Sequence, residues 1–160
     1  MTPLNNKWVI WYHDNGPDWT LNGFKKLYEI QTIEDFWEIY SKLNNYIILK
    51  GMFFLMKHNV EPRWETENNI DGGCWSYKIH KKETFISWLY LSISLCSEII
   101  VNDHINMDTI NGISISPKKN FSIIKIWNND YKMKENTILI NKINNLNLDV
   151  CLYKAHKDRN

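Results

Sequence analysis

Alternation of apolar and polar residues predicts β-strands along most of the chain. In Lys7–Tyr12 the side chains alternate between two faces, as the period of a strand requires. Turn-rich loops separate the predicted strands, and one of them, Asp14–Asp18, ends directly on Trp19. The other predicted strands are Phe24–Ile30, Tyr46–Lys57, Cys74–His80, Gly112–Ser116, Phe121–Trp127 and Val150–Tyr153.

Three further segments have the period of a helix. Thr32 begins the first, and Asp35 stands where a capping box needs an acidic residue. The second runs from Thr84 to Ser97 and the third from Lys134 to Leu146. The elements follow one another without βαβ regularity, and no linker or repeat interrupts them. We therefore expect one domain, 1–160, of the α+β class, with a single antiparallel sheet and helices on one side.

The second predicted helix is apolar over too wide an arc. Its apolar positions span roughly 220° of the helix circumference, whereas packing on a sheet needs little more than about 100°. The excess has two interpretations: another part of the chain covers it, or it forms a groove for a partner helix. The residues expected to face the sheet are Trp88, Leu91 and Leu95, and those expected on the flank are Ile86, Leu89 and Ile93.

Composition excludes several classes of function. With 19 basic and 18 acidic residues the net charge is +1, which argues against a protein that binds along a polynucleotide. No apolar run approaches the length of a membrane span, and the first residues do not resemble a secretory signal. The three cysteines are far apart, so we expect neither a disulfide framework nor a metal site, and a reduced cytoplasmic setting.

Seven of the eight tryptophans divide into two groups. Trp19 and Trp64 lie in charged loops, where an indole is either a lid over the core or a stacking platform. Glu65 beside Trp64 favours a platform, because two indoles and a carboxylate suit a flat cationic ring. Five others fall within periodic segments and are core candidates: Trp8, Trp11, Trp75, Trp88 and Trp127.

Five stretches together carry a family pattern: TPLNNKWVIWY (2–12), TIEDFWEIYSKL (32–43), LMKHNVEPRWETENNIDGGCW (55–75), SWLYLSISLCSE (87–98) and GISISPKKNFSIIKIW (112–127). With them the chain resembles the eukaryotic translation initiation factor 4E family, which binds the 7-methylguanosine cap of messenger RNA. The resemblance implies a curved sheet with about three helices on its convex face and a cap slot on its concave face. By the same resemblance, Trp19 and Trp64 sandwich the methylated base, Glu65 accepts its N1 and N2 hydrogens, and Trp127 lies near the N7-methyl group.

The phosphate end departs from the family pattern. Lys118 occupies the position of the family's arginine, and Ile123 stands where a lysine is expected. Lys125, two residues along the same strand face, is the expected substitute, and Lys119 is a second candidate. Near the end of the chain, His156 and Lys157 are weaker candidates for contact with the phosphates.

The resemblance also implies a partner for the wide apolar arc, namely a tyrosine- and leucine-containing helix from a 4G-type scaffold or a competing repressor. Two functions stay open: an initiation factor that recruits a scaffold, and a repressor that only sequesters the cap. We expect a monomeric, cytoplasmic protein without cofactor, membrane contact or catalysis, since no nucleophile or phosphate-loop motif is present. Its short ends, and an abundance of Asn, Ile and Lys that is typical of AT-rich coding sequences, indicate a divergent member, from a virus or a protist. The residues that match the partner-binding surface are Pro3, Ile33, Trp37, Leu89 and Ile93.

Overall fold

A computed structural model describes residues 1–140, 142–143 and 146–157. Within them, seven strands form one open, curved antiparallel sheet in the order β2-β1-β3-β5-β6-β4-β7. The strands are β1 (Pro3–His13), β2 (Phe24–Thr32), β3 (Met52–Lys57), β4 (Gly73–His80), β5 (Ile110–Pro117), β6 (Phe121–Asn128) and β7 (Leu152–Ala155). The helices are α1 (Ile33–Tyr40), α2 (Asn45–Ile48), α3 (Thr84–Cys96) and α4 (His104–Met107). The α+β class with an antiparallel sheet is confirmed.

Helix α1 starts with the predicted capping box. Thr32 Oγ1 accepts a hydrogen bond from Asp35 N at 3.0 Å, and Asp35 Oδ2 accepts one from Thr32 N at 3.0 Å. These bonds satisfy backbone donors that the first helical turn leaves without partners. Because Thr32 also ends β2, the capping box fixes how α1 leaves the edge of the sheet.

Helix α3 has the orientation that its pattern predicts. The three residues expected to face the sheet are fully buried, and the three expected on the flank are half-buried. A hydrogen bond of 2.6 Å from Tyr40 Oη to Ser92 Oγ joins α1 to α3. The two helices therefore lie side by side on one face of the sheet.

The sheet carries a core on each face. Trp8, Trp75 and the inward side chains of β5 and β6 belong to the large core against the helices. The opposite face carries a smaller aromatic cluster around Phe54, Met56 and Trp127. Since successive side chains of a strand alternate, one strand supplies both cores, as Leu55 and Phe54 do in β3. The smaller core forms the floor of the candidate site.

Two sequence predictions are wrong in the described residues. The segment 134–146 does not form a helix: Asn136–Ile138 is a short 3-10 turn, and Leu139 makes an isolated bridge to Val101. Residues 141, 144 and 145 of that segment lie outside the described residues. Its asparagines are poor helix formers, because their side chains compete for backbone hydrogen bonds. In addition, the predicted strand 46–57 begins only at Met52, since Asn44 caps the short helix α2 before it.

Candidate binding slot

A cavity of about 700 Å³ opens on the face of the sheet opposite the helices. This volume lies in the range of pockets that hold small organic ligands. Aromatic and charged side chains share its wall. The lining residues are Trp19, Phe24, Met52, Phe54, Pro62, Arg63, Trp64, Glu65, Cys74, Ser76, Lys125, Trp127, Lys154, Ala155 and His156.

Trp19 and Trp64, which the sequence places in separate loops, both line this cavity. Trp19 is 46% exposed and Trp64 is 49% exposed, so neither indole is a lid packed into the core. Half-exposed indoles on the wall of one cavity can each offer a ring face to a flat ligand. The geometry therefore favours the platform interpretation over the lid interpretation.

The segment that carries Trp19 is tightly closed. Asp18 Oδ1 accepts hydrogen bonds from Thr20 N at 2.9 Å and Thr20 Oγ1 at 2.5 Å, and Gly23 N donates to Thr20 O at 2.9 Å. A Cβ at Gly23 would lie 1.8 Å from Asp18 O, so only glycine fits there. The turn thus holds Trp19 close to the start of β2.

The segment that carries Trp64 is held by a buried amide. Asn69 is fully buried, and its Nδ2 donates to Glu61 O at 3.0 Å and Arg63 O at 2.9 Å. Its Oδ1 accepts a hydrogen bond of 2.8 Å from Asn111 Nδ2 on β5. These bonds attach the loop to the sheet on both sides of Trp64, and sequence reasoning did not identify them.

Glu65 is paired with Arg63 in this structure. Arg63 Nη1 lies 3.3 Å from Glu65 Oε1, while Nε and Nη2 donate to Glu61 Oε2 at 3.1 and 2.7 Å. The pKa of the Arg63 guanidinium is raised, mainly by its hydrogen bonds to Glu61 and to a smaller extent by Glu65. Since a carboxylate has about four acceptor positions, Glu65 retains acceptors for two ligand N–H groups while Arg63 stays bound.

The floor of the slot is aromatic, and His156 and Cys74 beside it are uncharged at pH 7. Trp127 is nearly buried, its Nε1–H donates to Ser114 Oγ at 3.0 Å, and its ring lies 5.3 Å from the His156 ring. Burial, aided by the charge of Lys125, lowers the pKa of His156 to about 4, so the imidazole is neutral at pH 7. Burial also raises the pKa of the Cys74 thiol to about 12. Trp127 therefore belongs both to the core, as periodicity predicts, and to the slot wall.

The structure separates the candidate phosphate-binding lysines. Lys125 lines the cavity, whereas Lys118 and Lys119 lie at the turn between β5 and β6 and are not part of its wall. Lys118 O instead accepts a hydrogen bond from Lys81 Nζ, and Lys157 forms an ion pair of 2.9 Å with Asp71. Lys154, which sequence reasoning missed, lines the cavity because β7 pairs it with Cys74.

The predicted partner-binding residues lie together on the helical face. Ile33 N donates to Thr2 O at 2.9 Å, which places the start of α1 beside Pro3. Ile33 and Trp37, one turn apart on α1, are 42% and 48% exposed. Leu89 and Ile93, one turn apart on α3, are half-buried. We call these five residues the dorsal surface.

This combination of an open antiparallel sheet, helices on one face and a tryptophan-walled slot on the other defines a small-ligand binding protein. Residues 3–160 match the model of the family described as eukaryotic initiation factor 4E. The chain belongs to this family, which consists of translation initiation factors and not of enzymes.

Curated relatives and solved structures agree with this assignment. The chain is 28% identical to eukaryotic translation initiation factor 4E-1A of Danio rerio over 98% of its own length and 77% of that protein. It is 30% identical to the Saccharomyces cerevisiae factor 4E over 78% of its length, and spans 61% of that protein. It spans only 51% of the Dictyostelium discoideum factor, also at 30% identity over 78% of its own length.

Among solved structures, Ascaris suum eIF4E-3 in complex with an m2,2,7G cap has a TM-score of 0.81 and 26% identity, covering 99% of this chain and 93% of that one. Caenorhabditis elegans eIF4E-3 in complex with the 4E-binding protein Mextli has a TM-score of 0.80, covering 97% and 93%. At 23% identity, that second likeness concerns the fold. In the part of the chain that the structure describes, no helix has the length and apolar character to cross a membrane.

Proposed function

We propose that the chain binds the 7-methylguanosine cap of messenger RNA in the slot and recruits a 4G-type scaffold through the dorsal surface. In this way it would promote initiation of translation in the cytoplasm. The observation that carries the proposal is the presence of Trp19, Trp64 and Glu65 on the wall of one cavity. The Ascaris suum relative, whose structure contains a cap, supports it.

Each contact in the slot favours a methylated guanine over an unmethylated one. Methylation at N7 makes the ring cationic, which strengthens its attraction to the faces of Trp19 and Trp64. It also makes N1–H more acidic, so the hydrogen bonds of N1–H and N2–H to Glu65 strengthen. Trp127 supplies an apolar surface for the added methyl group.

Tryptophan fluorescence tests the base-binding proposal. Titration with 7-methyl-GTP should quench emission strongly, and titration with GTP should not do so at the same concentrations. Glu65→Gln keeps the side-chain shape but removes an acceptor, and it should weaken binding by about 2 kcal/mol or more. The matched control is Glu67→Gln, an exposed carboxylate outside the cavity wall. Equal quenching by the two nucleotides would refute the cap proposal.

Lys125 and Lys154 are the proposed phosphate ligands, since both line the slot. A lysine holds phosphate as a point charge without the bidentate geometry of arginine. Lys125→Ala should therefore weaken binding of 7-methyl-GTP more than binding of 7-methylguanosine, which has no phosphates. Lys118→Ala is the comparison. A larger loss of 7-methyl-GTP affinity in that variant would indicate that the phosphates bind at the β5–β6 turn instead.

The dorsal surface favours the scaffold-recruiting function over a repressor that only sequesters the cap. A pure sequestering protein has no need of an exposed Trp37 on a face that also carries Ile33, Leu89 and Ile93. The Caenorhabditis elegans relative, solved with a 4E-binding protein, supports a partner on this protein too. Trp37→Ala should abolish capture of a 4G-type helical peptide and leave 7-methyl-GTP binding intact, whereas exposed Glu38→Ala should leave both intact. No capture of the peptide by the wild-type protein would favour the repressor, and unchanged capture by Trp37→Ala would refute the placement of the partner site on the dorsal surface.

A further inference from the structure

His13, the last residue of β1, stacks on the indole of Trp19. The two ring centroids lie 3.9 Å apart and the ring planes differ by 9°. His13 is only 1% exposed, whereas Trp19 is 46% exposed and lines the slot. The buried His13 ring therefore supports one face of the Trp19 indole.

Both ring nitrogens of His13 bind the loop that leads to Trp19. Asn15 N donates to His13 Nδ1 at 2.9 Å, and His13 Nε2 lies 2.7 Å from Asp18 O. Because Nδ1 accepts, the ring is the neutral tautomer with its hydrogen on Nε2, which donates to Asp18 O. His13 thus fixes the loop backbone on both sides of the turn as well as the indole that follows it.

The environment of the His13 ring holds it in one orientation. Phe24 packs against it with centroids 4.7 Å apart, and Met52 is its register partner on β3. A rigid ring behind an exposed indole restricts the indole to the rotamer that stacks on it. A ligand that binds the free face of Trp19 then does not have to order that side chain, and its affinity rises accordingly.

We propose that His13 is a positioning residue for the cap base: it holds the Trp19 ring in the orientation that receives the ligand. This proposal rests on the proposed function for its effect on affinity, but the effect on Trp19 itself does not depend on any ligand. The stack of imidazole, indole and bound base would then form one continuous column.

Two substitutions separate the ring from its hydrogen bonds. His13→Phe keeps a flat ring and loses both bonds, whereas His13→Asn keeps polar groups and loses the ring. The first readout uses no ligand: the ¹⁹F NMR spectrum of protein labelled with 5-fluorotryptophan, with the Trp19 resonance assigned by Trp19→Phe. We expect a narrow Trp19 resonance in wild type and His13→Phe, and a shifted, averaged one in His13→Asn, with the Trp64 resonance unchanged.

The second readout is the dissociation constant for 7-methyl-GTP. His13→Asn should weaken binding about three- to tenfold, the range expected for one lost aromatic stack, and His13→Phe should stay within about threefold of wild type. His58→Asn, an exposed histidine outside the cavity wall, is the control.

The outcomes distinguish the two proposals. An unchanged Trp19 resonance in His13→Asn would overturn the positioning role, whatever the ligand does. If the Trp19 resonance shifts as expected but the protein does not bind 7-methyl-GTP, the cap proposal is refuted and the positioning role stands. Failure of His13→Phe to rescue either readout would show that the hydrogen bonds, and not the ring, position Trp19.

Discussion

The loop that carries Trp64 and Glu65 depends on the side chain of Asn69. This fully buried amide donates to the backbone carbonyls of Glu61 and Arg63, and it accepts from Asn111 on β5. Asn69→Ala removes all of these bonds at once without adding a charge. We expect the variant to lose stability and, because the loop is no longer fixed to the sheet, to weaken binding of 7-methyl-GTP.

The structure bounds the size of this loss. Arg63 O keeps a hydrogen bond from Thr66 Oγ1 at 3.1 Å, and Asn111 Nδ2 keeps one to Asn68 O at 2.8 Å. These two groups therefore retain a partner, and Glu61 O loses the bond from Asn69. With a net ~0.5–1.5 kcal/mol for each bond and a further penalty for an unpaired buried group, the free energy of unfolding should fall by about 2–4 kcal/mol.

Urea unfolding with linear extrapolation measures the change. The matched control is Asn68→Ala, since the neighbouring amide is exposed and makes one hydrogen bond of 3.0 Å to Asn59 O. We expect the control to change the free energy of unfolding by less than about 1 kcal/mol. If Asn69→Ala costs no more than the control, the amide does not hold the loop.

Three further predictions concern the side chains of His156, Cys74 and Tyr40. The pKa of His156 is about 4 in the folded chain against 6.5 normally, so the unfolded state binds the extra proton. Stability should fall as the pH drops from about 6.5 towards 4, and His156→Gln should show a smaller pH dependence in urea unfolding; equal slopes would contradict this. Since burial raises the pKa of Cys74 to about 12, iodoacetamide at pH 8 should alkylate the partly exposed Cys151 first, and prior labelling of Cys74 would be inconsistent with its burial. Tyr40→Phe should cost about 1 kcal/mol in urea unfolding, because Ser92 Oγ loses a buried partner, and a neutral result would mean that this bond is not stabilising.

Local patterns in the sequence predicted the parts of the fold that local physics determines. The capping box needs only Thr32 and Asp35, three residues apart, and the orientation of α3 follows from the spacing of its apolar residues. The wrong helix prediction for 134–146 has the same origin, because it also rests on the local spacing of apolar residues. Leu139, Ile143 and Leu146 have near-helical spacing, but they are buried because the segment covers the main core, not because it is a helix.

The candidate site was predictable as a set of residue types, whereas its internal connections were not. Trp19, Trp64 and Glu65 stand out because exposed indoles beside charges are unusual for a core. Nothing local indicates that Asn69 meets Asn111, which is 42 residues away. That contact depends on the pairing of strands, which a single sequence does not specify.

Strand register also decides which lysines lie in the slot. Lys118 and Lys125 belong to the same hairpin and both look plausible in the sequence, but β6 directs Lys125 to the face that carries Trp127. The pairing of Cys74 with Lys154 adds a second cation from a position 80 residues further along the chain. A one-residue change of register would turn such side chains to the helical face. The positive end of the slot is therefore a property of the assembled sheet, and a net charge of +1 for the whole chain is compatible with it because only two lysines are needed there.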